Sequence, residues 1–590
     1  MSVALKFKTL LLISASFLSA AEPNTILWQD WSGKLFEQAA RENKFVLLDL
    51  DAVWCHWCHV MAETTYKDPE VVRLIQSRFI AVRVDQDARP DLSSRYEDYG
   101  WPATIVLGAN GKEIVMRSGY IEPRPFAALL AAIVADPSPG PSVRPAPKVE
   151  FSAEARLSPE LRARLQKEYV AQYDFQHGGW GFMQKFLEWN SAEYAIASSR
   201  AGDPNERMAR MARMALTSQL HLIDPVWGGA YQYSTGGDWN EPHFEKIMTV
   251  QTEDLRLYAL GYAQWRDPAY LKAATGIHRY LTTFLRSPEG AFYTSQDADL
   301  VDGEHSGEYF KLDDAARRRQ GIPRVDKHRY ARENGWAAGA IAMLYAATGE
   351  RQYLDEAIAS ARWVRQNRSL PGGGFRHDAE DSAGPYLGDT LAMGRAFLEL
   401  YQVTGDRAWL HDAGQAAAYL VANFRGREPG FVTSKAPTDA AYAPAPERDE
   451  NIMAARFLNL LAGYTGKSAY REAADYAMRY LVAPQVAQER PTGGVLLANL
   501  EVSSAPLHVT VVGAKNNAAA RALFMAANAL PGDYKRVEWW DPREGPLPNA
   551  DVQYPQRPDP AAFICTGNSC SSPISKAEEI RPRVERLKAR

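Results

Sequence analysis

The stretch "FVLLDLDAVWCHWCHVMAETTY", Phe45 to Tyr66, decides how the N-terminal part of the chain reads. "FVLLDLD" predicts a buried strand and "HVMAETTY" a helix, with Cys55-His56-Trp57-Cys58-His59 in the tight turn between them. The motif fits three chemistries. As C-x-x-C it is a redox dithiol, and as C-x-x-C-H it is a covalent haem attachment site. Two imidazoles beside two thiols could also hold zinc. A haem site wants an axial ligand in a small helical shell, whereas here an apolar strand runs straight into the motif. A zinc site wants a second nearby Cys/His pair, and none stands in this part of the sequence. By this reading His59 completes the haem pattern only by coincidence of spacing. An inert disulfide stays open beside the redox reading. The redox reading draws on placement: at a helix N-terminus, free N–H groups stabilise a thiolate and lower the thiol pKa.

Outward from the motif, residues 22–135 read as one α/β unit. "KLFEQAARENK", "EVVRLIQSRF" and "PRPFAALLAAIVA" predict helices, while "IAVRVD", "ATIVLG" and "KEIVMRSGY" predict strands. The Pro-rich "DPSPGPSVRPAPK" marks a linker, taken as 136–149. From 150 to 500 long helical patterns take over, punctuated by Gly turns followed by an aromatic or apolar residue: "HGGWGF", "WGGAY", "EGAFY", "GGGF", "PGF" and "TGGV". Six turns predict six helical hairpins, which bury their apolar faces by closing into an α/α toroid, with an open solenoid as the alternative. Residues 501–590 read as a small α/β tail carrying Cys565 and Cys570, whose "TGNS" spacer allows a disulfide or a relay to Cys55 and Cys58.

Composition is that of a globular chain: 590 residues, 46% hydrophobic and 23% charged, which is too long for a single core. A net charge of -4 gives no footing for nucleic acid or an anionic membrane. Lys6 and Lys8, the run "TLLLISASFL" and the small residues before Glu22 predict a signal peptide over 1–21, hence export, to a periplasm in a bacterium, with no stable membrane span after cleavage. Four cysteines in two close pairs suit specific redox use or local staples rather than a disulfide scaffold.

The region around the motif resembles thioredoxin-like proteins: Asp49 stands six residues before Cys55, Trp54 directly precedes it, and Pro102 in "GWPAT" opens a strand. The resemblance implies that Asp49 handles the proton of the second thiol, that Pro102 is cis, and that the backbone before it docks substrate. "CHWCHVM", "DPEVVRLIQSRFIAVRVDQDARPD", "GWPATIVL", "PHFEK", "SQDAD" and "FICTGNSC" together resemble the spermatogenesis-associated thioredoxin-domain family. Its bacterial members place a six-hairpin toroid of the glycosidase and sugar-epimerase type behind the thioredoxin-like part. This chain departs from the family pattern at "IMTVQTED" after "PHFEK", and at Glu333, where the family favours tryptophan.

The expected activity is therefore thiol–disulfide exchange, with Cys55 attacking, Cys58 resolving and His56 tuning the pKa. The expected partners are protein dithiol or disulfide clients, or a redox partner. A second expectation is carbohydrate binding or processing in the toroid. There His243, Glu245 and Lys246, with Asp297 and Asp299, could supply acid/base groups or merely cap turns. A third makes the toroid a scaffold without catalysis. The sequence calls for no metal and no cofactor.

Overall fold

The computed structural model describes residues 25–96, 100–143, 148–199, 206–381, 383–435, 443–555, 557–566 and 569–588. The signal-peptide reading, 1–21, lies outside them. The expected fold class holds: a thioredoxin-like α/β domain, an all-α toroid and an α/β tail.

In the first domain a four-stranded sheet runs in the order Phe79–Asp85, Phe45–Asp51, Ala103–Leu107, Glu113–Ser118. The first pair is parallel, with Val46 opposite Ile80, and the other two are antiparallel. The apolar run of Phe45–Asp51 is buried because helices cover both faces of the sheet. Local signals set the helix ends. Asp68 accepts from Glu70 N and Val71 N, with Pro69 at the first helical position. Residues 136–143 follow the outer strand, with Gly140 N on Ile114 O and Met116 N on Ser142 Oγ. They give partners to an edge that would otherwise expose its backbone.

Six helices form an inner ring: Trp189–Ser198, Met248–Trp265, Ala331–Thr348, Leu387–Thr404, Arg448–Thr465 and Gly493–Val502. Each touches the next, and the last touches the first, so the toroid is closed. Pro159–Ala171, Arg207–Gln219, Pro268–Tyr280, Arg351–Asn367, Arg407–Asn423 and Ser468–Leu481 form the outer ring. One hydrophobic core runs through every hairpin. The inner helices are buried nearly all round, and Gly335 lets two of them meet, since a Cβ there would lie 2.8 Å from Ala392 C. The repeating Thr-Gly pairs end three inner helices, with Gly349, Gly405 and Gly466 in the left-handed conformation that closes a helix.

The Gly turns dock by their backbone onto polar side chains of the next inner helix. Ala230 N donates to Gln251 Oε1 and Ala230 O accepts from Gln251 Nε2, each at 2.7 Å. Phe292 does the same with Asn334 and Phe431 with Asn451, while Phe375 N donates to Thr390 Oγ1. Four of the six turns are thus backbone joints between hairpins. The sixth, "TGGV", instead opens the last inner helix.

In the tail the strand order is Lys535–Trp540, Leu507–Val512, Ala561–Thr566, Ser569–Cys570, with helix Ala518–Asn528 crossing between the parallel pair and Ile580–Lys588 closing the chain. Directions match the first sheet strand for strand: one parallel pair, then two antiparallel ones. The tail caps the C-terminal ends of the inner helices. Lys515 Nζ reaches Gly405 O and Asn549 Nδ2 reaches Gly463 O. Asp533 comes within 3.6 Å of Arg256 and 3.5 Å of Arg456 inside the ring. The thioredoxin-like domain covers the N-terminal ends, so the toroid is stoppered at both mouths.

Candidate active site at the domain joint

Cys55 is the N-cap of helix His56–Glu63, and its sulfur accepts from Cys58 N at 3.2 Å. Cys55 and Cys58 are bonded to each other and only 3% and 6% exposed. Ala52, Trp54, Trp101 and the toroid's Ile247 pack around them. The Trp101–Pro102 bond is cis, and Pro102 is buried. Asp49 is fully engaged. Tyr66 OH donates to one oxygen and Arg83 Nε to the other, each at 2.9 Å, while burial pushes its carboxyl up.

The histidines of the motif face the toroid. His56 Nδ1 lies 2.7 Å from Asp299 Oδ1, and His59 Nδ1 lies 3.1 Å from Asp299 Oδ2 and 3.7 Å from Asp297 Oδ1. His59 is therefore half of an inter-domain ion pair, a role its place in the motif did not reveal. Arg324 closes the far side on His59 Nε2, Asp297 Oδ2 and Val53 O. Burial pushes His59 down, but the hydrogen bond to Asp299 and the charge of Asp297 outweigh it and raise its pKa. Burial pushes Asp299 up, and the hydrogen bonds from His56 and His59 bring it down to about 2. Asp297 goes the other way, raised by burial to about 6. The ligand-capable atoms of His59, Asp297 and Asp299 lie within 4.8 Å of one another. That is close enough for one divalent ion, although Arg324 already places a cation there.

Of the "PHFEK" residues, two face this cluster and one does not. Glu245 is 4% exposed, its Oε2 has no hydrogen-bond partner, and burial raises its carboxyl to about 7. His243 stacks on Tyr233 with its Nδ1 4.0 Å from Glu245 Oε2, and burial holds it neutral with a pKa near about 4. Lys246 is committed elsewhere, to Asp224 Oδ2 and Gly228 O. Lys185 makes the same contacts to Asp174 and Gly178 one hairpin earlier. The expected acid/base role of Lys246 is corrected to a repeated tie that orders a turn. At the other end, Cys565 and Cys570 bond each other on neighbouring strands. An 18-residue inner helix spans about 27 Å, so the tail pair is out of reach of Cys55 and the relay is set aside.

A second joint was not legible in the sequence. His377 Nδ1 lies 2.9 Å from Asp389 Oδ1, and its Nε2 lies 2.7 Å from Asp87 O of the first domain. Both partners are acceptors, so both ring nitrogens donate and the imidazole is protonated. Burial lowers its pKa, but the Asp389 charge prevails and raises it to about 9. A raised histidine pKa gives stability that is complete below the ordinary value near 6.5 and lost as pH rises through about 9. Hydrogen exchange should therefore show the segment around Asp87 loosening from the toroid above pH 9. His377→Gln should remove that alkaline step, worth about 3 kcal/mol.

A family model described as "Protein of unknown function, DUF255" (Thioredox_DsbH) matches residues 8–132. The chain is similar to mouse spermatogenesis-associated protein 20, 28% identical over 309 residues, which is 47% of this chain and 39% of the relative. It therefore spans well under half the length of that relative. Thiol:disulfide interchange protein DsbD 2 of Pseudomonas aeruginosa is 30% identical over 101 residues, 17% of this chain and 16% of the relative. Among solved structures, a D-mannose isomerase aligns with TM-score 0.45 at 14% identity, over 60% of this chain and 99% of that one. A cellobiose 2-epimerase from Spirochaeta thermophila aligns with TM-score 0.43 at 15% identity, over 55% and 84%. The resemblance read from the sequence stands. Among the described residues no helix is long and apolar enough to cross a membrane.

Proposed function

We propose that this chain is an exported, periplasmic thiol–disulfide oxidoreductase in which Cys55 attacks and Cys58 resolves. One observation carries the reading: Cys55 caps the helix that follows a buried strand, and the Cys58 N–H points at its sulfur. A donor at that atom, with the helix dipole behind it, stabilises the Cys55 thiolate over the thiol. The apolar run after Lys8 supports export. For a test, the reduced chain is equilibrated with dithiothreitol and its disulfide, and exchange is followed by alkylation and mass spectrometry. Cys55→Ser should abolish exchange, and Cys58→Ala given a linear disulfide, 2-hydroxyethyl disulfide, should accumulate the mixed disulfide on Cys55. Exchange by Cys55→Ser at the rate of the unaltered chain would sink the proposal.

A second reading rests on the toroid mouth, where Glu245 is held near 7 and Asp299 near 2. Two carboxyls pushed apart by their surroundings are what a general acid and its ionised partner require. On that reading the mouth performs proton transfer on a hydroxylated, sugar-like ligand. A thermal-shift screen with monosaccharides and disaccharides tests it, and the absence of any shift counts against it.

A further inference from the structure

The cysteines that the proposed function relies on are inside the protein. The first domain is pinned over them by Asp299, Arg324 and His377, and Ile247 covers the disulfide from the toroid side. A protein client would have to thread a chain segment between the two domains. Beside the disulfide lies instead a cavity of about 220 Å³. Three of its walls, Trp54, Trp101 and Ile247, belong to the apolar cluster that holds the two cysteines. Trp189 and Trp336 face them from the toroid.

The polar part of the lining is specific. Both oxygens of Asp87 are taken, by Trp54 Nε1 at 2.8 Å and by the Gln86 amide. Glu333 is 2% exposed, and its Oε1 accepts from Arg332 Nε and Nη2 at 3.1 and 2.8 Å. Its Oε2 has no partner. A buried carboxylate oxygen left open costs stability unless something donates to it. The Arg332 guanidinium, itself part of the lining, lies 4.9 Å over the Trp336 ring; the indoles of Trp54, Trp101 and Trp189 favour alkyl chains and ammonium groups.

We infer that the substrate of this dithiol is a low-molecular-weight aminothiol and its disulfide, rather than a protein, with the ammonium on Glu333 Oε2 and the carbon chain among the tryptophans. This rests on the thiol–disulfide reading above. For a ligand in the cavity to reach the sulfurs, Ile247, which lines the cavity and packs beside the cysteines, has to move. The Cys55 thiolate attacks one sulfur of R–S–S–R, which forms the Cys55–S–S–R bond and releases R–S⁻. The Cys58 thiolate then attacks Cys55 Sγ, closes the protein disulfide and releases the second R–S⁻. Two electrons pass to the ligand, and the two thiol protons leave on two R–SH. Run backwards, two R–SH reduce the protein and leave as R–S–S–R.

The test uses the reduced full chain and the oxidants cystamine, 2-hydroxyethyl disulfide and insulin, with oxidation of Cys55 followed by mass spectrometry. Cystamine should react at least 10-fold faster than the neutral disulfide, and insulin slowest of the three. Glu333→Gln should bring the cystamine rate down to that of the neutral compound. Insulin reacting fastest, or a cystamine preference that survives in Glu333→Gln, overturns the substrate class and leaves the oxidoreductase reading intact. Failure of every disulfide, dithiothreitol's included, overturns the oxidoreductase reading itself.

Discussion

Asp299→Ala is expected to loosen the first domain over the toroid mouth and to expose the dithiol more often, although Arg324 and His377 still tie the two parts. Asp299 holds His56 through one oxygen, and His59 and the Gly303 N–H through the other. Its removal leaves the mostly buried His56 imidazole and the Gly303 N–H without their acceptor, and leaves His59 only Asp297, 3.7 Å away. Breaking a buried pair by deleting one partner costs about 3–5 kcal/mol. The consequence is measurable at the sulfurs. Reduction of Cys55–Cys58 by a bulky protein reductant should accelerate by at least about 10²-fold, the lower end of what a loss of that size implies, while a small reductant such as dithiothreitol gains little. Equal acceleration of both would mean that the joint does not control access.

Glu245→Gln should stabilise the protein, and only at higher pH. The carboxyl has its pKa raised from 4.5 to about 7, so the folded state holds the proton more tightly than the unfolded chain does. Stability is therefore lost as pH rises from 4.5 through 7, and the deficit persists above it. Its size is about 3 kcal/mol, because each pKa step of one is worth about 1.4 kcal/mol. A neutral amide never pays this, so the variant should melt higher than the unaltered chain at pH 8 and the same at pH 4.5. A difference independent of pH would show that packing, not charge, decides. Retaining a buried, unpartnered acid at such a disadvantage is characteristic of a site that uses it.

The thioredoxin-like part was legible because its signals are local. "FVLLDLD" is apolar without interruption, and the strand observed, Phe45–Asp51, coincides with it. The hairpins were legible from their Gly turns, although why those turns recur was not. The answer lies in Gln251, Asn334, Thr390 and Asn451, which sit among alanines and leucines on the following helices and hold the turn backbone. The domain joint was hidden. His56 and Asp299 are 243 residues apart, and no periodicity relates them. The strand Lys535–Trp540 was missed because its charged residues are buried in pairs, with Arg536 on Glu538 at 2.7 Å, and so look like surface in the sequence.

The two sheets with the same strand order have a consequence for anyone inferring chemistry from shape. In the first, the loop after the leading strand delivers a cysteine to a helix start. In the second, the equivalent loop after Leu507–Val512 reads "GAKNN", and the cysteines sit on the last two strands instead. One chain thus repeats a strand order with the helix-capping cysteine on a single copy, while the other copy serves as a stopper for the ring. A shared strand order therefore does not by itself place a cysteine pair at a helix start.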